Sequence, residues 1–243
     1  FFLLGHPADY SVLNKEEEYS DSNLEKVFIG HPKYSCSWLK DQKIESENSR
    51  SSMFNKDQID ILVLSRGSGS YFDQSYHKEL VESVIGATSE HLDNYNLYIK
   101  KHPREVESYW DTLEEKHSSI HIIDKHIYEV AKEVDFVISF WSSGAMDCYE
   151  LGVPVIELYD PQRYPKQQFL DGSNYTSIYR KLGLVYSANN EHELGKNILG
   201  LTQNKHYMKQ KEAHPFYKNI LERSNNWEHK FAEILTSNGF LKS

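Results

Sequence analysis

Cysteine is scarce in this chain. Only Cys36 and Cys148 occur in 243 residues. Neither stands in a CxxC or CxxH spacing, so neither a disulfide framework nor a zinc site is implied. A reducing, cytoplasmic setting fits that usage. Long apolar runs are missing as well. No stretch approaches the roughly 18 apolar residues of a membrane-spanning helix, and the mean hydropathy is -0.66. Positive charge is in deficit: 27 Lys and Arg stand against 36 Asp and Glu, a formal net charge of -9. General nucleic-acid binding needs a basic face, so nucleic acid is not an expected partner, although a local basic pocket stays compatible. The chain has no GxSxG nucleophile turn, no P-loop, no internal repeat and no His/Cys/Asp/Glu group at metal-ligand spacing. It opens Phe1-Phe2-Leu3-Leu4-Gly5 without Met and without the basic and apolar regions of a signal peptide. It therefore reads as starting in mid-protein.

What is present is an α/β rhythm. Aromatic residues make up 13% of the chain, with 17 Tyr, enough to build a core. Residues 41–58 are polar and Ser-rich and read as a linker or loop. From Ile59 onward, apolar runs alternate with segments of helical spacing. Strands are expected at 61–64, 95–100, 120–123, 136–139, 155–158 and 184–186. Helices are expected at 77–88, 106–117, 127–132, 145–151, 175–182, 191–201 and 216–235. Such alternation predicts a Rossmann-like, doubly wound parallel sheet. Ligands of such sheets sit outside the carboxyl ends of the strands.

Three turns fall at those ends. Trp141-Ser142-Ser143-Gly144 links an apolar strand to a helix. Small residues there allow close approach of backbone to phosphate, with free N–H groups and the helix dipole behind them; a serine in that place is equally an ordinary N-cap. Lys101-His102-Pro103 ends another strand. The proline fixes the backbone and presents an imidazole able to donate to a phosphate or a leaving group. Arg66-Gly67-Ser68-Gly69 follows the first strand and reads as a phosphate- or sugar-facing loop or as a plain flexible turn. Asp147 and Glu150 lie on the helix after the serine turn, where a carboxylate could hold a ribose hydroxyl pair or face solvent. Glu157 sits in an apolar strand, where an acid needs a partner, or it marks the strand end. His6-Pro7, His31-Pro32 and His214-Pro215 repeat the His-Pro dipeptide and read as turns or linkers.

Lys101-His102-Pro103, then Ser142-Ser143 with Asp147, then Gly152-Val153-Pro154 resemble the C-terminal half of GT-B-fold transferases. The pattern is most similar to the bacterial surface-polymer group: CDP-glycerol glycerophosphotransferases, capsule Kdo transferases and polysialyltransferases. The resemblance spans residues 25–235. It implies a metal-independent transferase of surface polysaccharide or capsule biosynthesis, at the inner face of the cell membrane. The donor is a CMP-, CDP- or UDP-linked sugar or polyol taken as substrate, with no further cofactor, and the acceptor is a glycan or lipid-linked chain. Peripheral membrane association is left to a part outside this sequence. By the same resemblance, His102 contacts the donor phosphate or assists its departure and is the catalytic candidate. Arg66, Gly67, Ser68, Lys101, His102, Ser142, Ser143, Gly144, Asp147 and Glu150 form the binding set. The chain divides into 1–35, the end of an N-terminal domain and the junction; 36–58, a linker; 59–215, the nucleotide-sugar-binding domain; and 216–243, a C-terminal crossover helix. UDP-GlcNAc 2-epimerases share the fold and give the alternative function, beside a non-catalytic nucleotide-sugar module. They carry Ser-Gly-Gly and paired glutamates where this chain has Ser-Gly-Ala and Asp147-Cys148.

Overall fold

The computed structural model describes residues 2–4, 26–28, 32–35, 37–38, 40–41, 58–67, 72–105, 108–163, 177–181, 183–203 and 225–240. The chain separates into two compact units, Phe1–Glu45 with Ala213–Ser243, and Ser46–Glu212. In the first unit, β1 (Phe2–Leu4) and β2 (Lys26–Phe28) pair in parallel.

The second unit carries the sheet. Its strands are β3 (Ile59–Leu64), β4 (Tyr95–Lys100), β5 (Ile120–Ile122), β6 (Phe136–Ser139), β7 (Val155–Leu158) and β8 (Tyr186–Ala188). All pair in parallel, in the order β5-β4-β3-β6-β7-β8. That is the 3-2-1-4-5-6 order of a Rossmann fold, with the topological switch point between β3 and β6. A parallel sheet is covered on both faces, so its strands read as unbroken apolar runs. Ile61, Leu62, Val63, Val137 and Ile138 are accordingly fully buried.

The helices are α1 (Gln74–His91), α2 (Tyr109–Glu114), α3 (Ile127–Val130), α4 (Gly144–Glu150), α5 (Ile178–Lys181) and α6 (Glu191–Gln203). In the first unit follows α7 (Trp227–Ser237), the described part of the expected crossover helix; residues 216–224 lie outside the described set. Helix α1 begins where Asp73 accepts the Tyr76 N–H at 2.7 Å, an N-cap that satisfies one of the helix's orphan donors. It buries Leu80, Val81, Val84 and Ala87 against the sheet.

Helix α2 is shorter than the expected 106–117. Ser108 caps it in a reciprocal capping box with Asp111, which sets the first turn at Tyr109. Strand β8 lies two residues later than expected. Leu184 and Val185 are its buried lead-in, and the ladder to β7 pairs Ile156 with Tyr186 and Leu158 with Ala188.

The α4–β7 turn is a Schellman motif. Gly152 N–H bonds the Tyr149 carbonyl and Val153 N–H the Cys148 carbonyl, both at 3.0 Å, with Gly152 at φ +81°. Only glycine takes that conformation without Cβ strain. A Cβ at Gly152 would meet no atom within 4 Å, so Gly152→Ala isolates the backbone cost. It should destabilise the unit by about 1–2 kcal/mol in urea unfolding, with native far-UV circular dichroism.

Candidate functional site

Buried polar side chains of the second unit, Ser65, Glu105, Ser139 and Glu157, lie at or just past the carboxyl ends of the strands. Two ladder bonds run past the strands and hold three exits together: Ser65 N–H to the Lys100 carbonyl and Phe140 N–H to the Leu64 carbonyl, each at 3.0 Å. The crevice at the switch point thus lies between residues 65–67 on one side and 140–144 on the other.

Arg66 spans it. Its guanidinium donates to the Trp141 carbonyl at 2.9 Å. Trp141 has φ +52°, left-handed backbone that costs a bulky residue about 1–3 kcal/mol. Three contacts hold it there: the Arg66 bond, the Ser142 N–H to Ser139 Oγ bond at 3.1 Å, and its indole against the Tyr159 ring at 4.7 Å between centroids. Two residues on, Ser143 is exposed.

The serine turn keeps its own backbone donors busy, contrary to the free N–H groups expected from sequence. Gly144 N–H bonds Ser142 Oγ at 3.3 Å. Ala145 and Met146 N–H bond the Ser142 and Ser143 carbonyls at 3.0 and 3.1 Å. What the turn offers outward is the Ser143 side chain and the end of a short helix dipole. Gly144 packs closely: a Cβ there would come 2.7 Å from Ile127 Cδ1, and that side-chain end would have to shift.

His102 faces the same rim. Its Nδ1 accepts the Arg104 N–H at 3.1 Å, so the ring proton sits on Nε2 and is available as a donor. Burial, with the Arg66 and Arg104 charges beside it, lowers its pKa from the ordinary histidine value, against an opposing pull from Glu105. The ring is therefore neutral at neutral pH, and Arg66 is close enough to sense it.

The remaining expected residues are placed differently. Lys101 turns to the Asp111 carboxylate on α2, at 2.7 Å. Asp147 is 3% exposed and accepts from the Tyr128 hydroxyl of α3 at 3.4 Å. Glu150 is half-buried on the last turn of α4. Gly67 has a packing reason: a Cβ there would lie 2.5 Å from Glu105 Cγ. Ser68 lies outside the described residues. Among the described residues no group of three or more His, Cys, Asp or Glu is placed to hold a metal, and no helix is long and apolar enough to cross a membrane.

Sequence reasoning missed most of the supporting groups. Glu105, Ser65, His77 and Trp110 form a buried network under the His102 turn. Glu157, suspected for its setting, does have partners at the end of β7. Its Oε2 accepts from Ser177 Oγ at 2.5 Å and Arg180 Nε at 3.1 Å. Arg180 also donates to the carbonyls of Glu157, Tyr159 and Ala188 at 2.8–3.0 Å and stacks on Tyr159. It thereby satisfies the ends of β7 and β8. The Tyr179 phenol is pushed up to about 12 by burial and by the Glu157 charge, with Arg66 and Asp147 also acting on it. Arg180 and Tyr179 left no local trace, because their partners are distant in sequence.

No protein-family model matches the chain, and no curated protein matches it in sequence. Solved structures do match it. The UDP-GlcNAc 2-epimerase from Neisseria meningitidis, bound to UDP-GlcNAc, aligns with TM-score 0.60 and 12% identity over 90% of this chain and 57% of its own. The UDP-GlcNAc 2-epimerase from Methanocaldococcus jannaschii, in complex with UDP-GlcNAc and UDP, aligns with TM-score 0.60 and 16% identity over the same shares. A variant of the wall teichoic acid polymerase TagF aligns with TM-score 0.53 and 14% identity over 96% of this chain and 56% of its own. The chain thus spans a little over half the length of these structures. At such identities the likeness is one of fold: the Rossmann-like half of a GT-B-type architecture.

Burial pushes Glu157 up to about 7 despite Arg180. That guanidinium is shared among carbonyls, and Glu157 Oε1 has no partner. A folded pKa above the unfolded 4.5 means stability is full below pH 4.5 and falls as pH rises through about 7. The loss should reach about 3 kcal/mol at about 1.4 kcal/mol per pKa unit. Urea unfolding of Glu157→Gln across that range should lack this decline.

Proposed function

We propose that this chain is the donor-binding half of a GT-B-type enzyme acting on a nucleotide-activated sugar or polyol in surface-polymer synthesis. One observation carries the reading: Arg66, His102 and the serine turn converge at the switch point of a Rossmann-ordered sheet, where such folds take nucleotides. The fold neighbours add support, since two are UDP-GlcNAc 2-epimerases seen with UDP-GlcNAc or UDP and one is a teichoic acid polymerase.

The chemistry follows from the side chains. A nucleotide leaving group departs with its negative charge increasing on phosphate oxygens. Arg66 supplies a permanent planar cation suited to phosphate. His102 supplies a neutral Nε2–H donor held in one tautomer, and Ser143 a hydroxyl at the helix start. Preorganised donors of this kind stabilise developing charge without reorganising. When the phosphate arrives, Arg66 exchanges its bond to the Trp141 carbonyl for a charged acceptor, a stronger partner. The phosphate charge also favours protonation of His102, so binding takes up protons where the free ring is neutral.

The epimerase reading has its own support in the higher TM-scores of the two epimerases. The transferase reading is preferred because Ser143-Gly144-Ala145 and Asp147-Cys148 depart from the epimerase pattern. Sugar epimerised without any acceptor would favour the epimerase.

Calorimetry with CMP, CDP, UMP, UDP, GDP and ADP tests the site. One cytidine or uridine nucleotide should bind best, and more tightly as the pH falls through the range in which His102 takes up its proton, which lies below the ordinary histidine range. Arg66→Ala and His102→Ala should each weaken it about tenfold or more, as loss of a charge-assisted contact does, and Ser143→Ala less. Nucleotide binding unaffected by all three variants would overturn the assignment.

A further inference from the structure

We propose that Glu105 is the positioning residue of this crevice: its buried carboxylate sets the His102 turn and the β3 exit in one fixed arrangement. In its effect on ligand affinity, the inference rests on the nucleotide-site reading above.

The Glu105 side chain is wholly buried, and that of His77 is 4% exposed. A carboxylate in the interior costs several kcal/mol unless its lone pairs are met. Here they are met from four directions. Ser65 Oγ at the end of β3 donates to Oε1 at 3.0 Å. Ser108 Oγ, the cap of α2, donates to Oε1 at 2.5 Å. His77 Nε2 on α1 lies 3.3 Å from Oε1. The His102 backbone N–H donates to Oε2 at 3.4 Å. One carboxylate thus binds three elements through one oxygen and the His102 turn through the other.

The proton directions are settled by count. Ser65 has a single proton, committed to Glu105, and its oxygen accepts from Trp110 Nε1 at 3.0 Å. His77 Nε2, 3.3 Å from the Ser65 hydroxyl, is therefore the donor in its contacts. The network runs one way, from Trp110 to Ser65 to Glu105, with His77 and Ser108 joining at the same oxygen. Burial alone would raise the Glu105 pKa, but the His77, Ser108 and Ser65 hydrogen bonds outweigh it and hold the carboxyl below its ordinary range. Glu105 stays ionised.

Two consequences reach the rim. Glu105 N–H closes the turn onto the His102 carbonyl at 2.8 Å, and its Cγ packs where Gly67 has no Cβ. The two exits that carry Arg66 and His102 are clamped at the same residue. The Glu105 charge also favours the protonated His102 ring, opposing Arg66 and Arg104. Glu105 itself touches no ligand space; it acts through His102 and residues 65–67.

An NMR titration of the histidine ring protons, on the whole chain without ligand, tests this. In Glu105→Gln the His102 ring should titrate at lower pH than in wild type, and the His102 and Arg104 amide signals should move, while the core methyl signals of β6 and β7 stay in place. Affinity for the best nucleotide of the panel should fall about tenfold. A His102 ring and amide that titrate as in wild type would overturn the inference. If Glu105→Gln does not fold, His77→Gln keeps a donor beside Oε1 but alters its reach; it should move the same His102 and Arg104 signals, and unmoved signals there would be equally fatal. A wild-type chain that binds no nucleotide removes the site reading alone, because the His102 titration is read without ligand.

Discussion

A parallel sheet must be covered on both faces, and that constraint organises everything else in this protein. With helices packed above and below, several of the buried polar groups among the described residues, Ser65, Ser139 and Glu157, sit at the strand ends. The 3-2-1-4-5-6 order then opens a crevice at one of those ends, between β3 and β6. There the helices following neighbouring strands lie on opposite faces of the sheet, so no crossover fills the gap. Arg66 reaches across it to the Trp141 carbonyl, and a left-handed tryptophan is tolerated because that bond and the Tyr159 ring hold it.

Two buried glutamates brace this end of the sheet in opposite ways. Glu105 is met by several donors and is held ionised. Glu157 faces Arg180, but that guanidinium is divided among three backbone carbonyls, and one carboxylate oxygen has no partner. Hydrogen bonds to the charged form outweigh desolvation in the first case and fall short in the second. The same residue type therefore serves as a permanent charge beneath the β3 and β4 exits and as a titrating one beneath β7.

The serine turn shows how fold and chemistry divide the work. Its backbone donors close the start of α4 and are largely spent on it. Under the nucleotide-site proposal, recognition of an anion falls to side chains, with Arg66 and the Nε2–H of His102 foremost. Epimerases and a teichoic acid polymerase share this fold, and on one fold the reaction is set by the residues placed on it.

The local pattern determined a good deal. Apolar runs bounded by Gly, Pro and polar turns placed β4, β6 and β7 at their observed limits, because a strand buried on both faces writes its length directly into hydrophobicity. The alternation of strands and helices determined the parallel sheet, and with it the end at which residues 66, 102 and 142–144 meet. Tertiary structure decided the rest. Ser65 and Glu105 are 40 residues apart, and Glu157 and Arg180 are 23 apart, so no periodicity could pair them. Lys101 and Asp147 have the right chemistry at the right ends, yet packing gives one to Asp111 and the other to Tyr128. Hydrophobic period fixes which elements form, since it is a local property. Which polar group meets which depends on where distant elements come to rest, and only the folded chain holds that information.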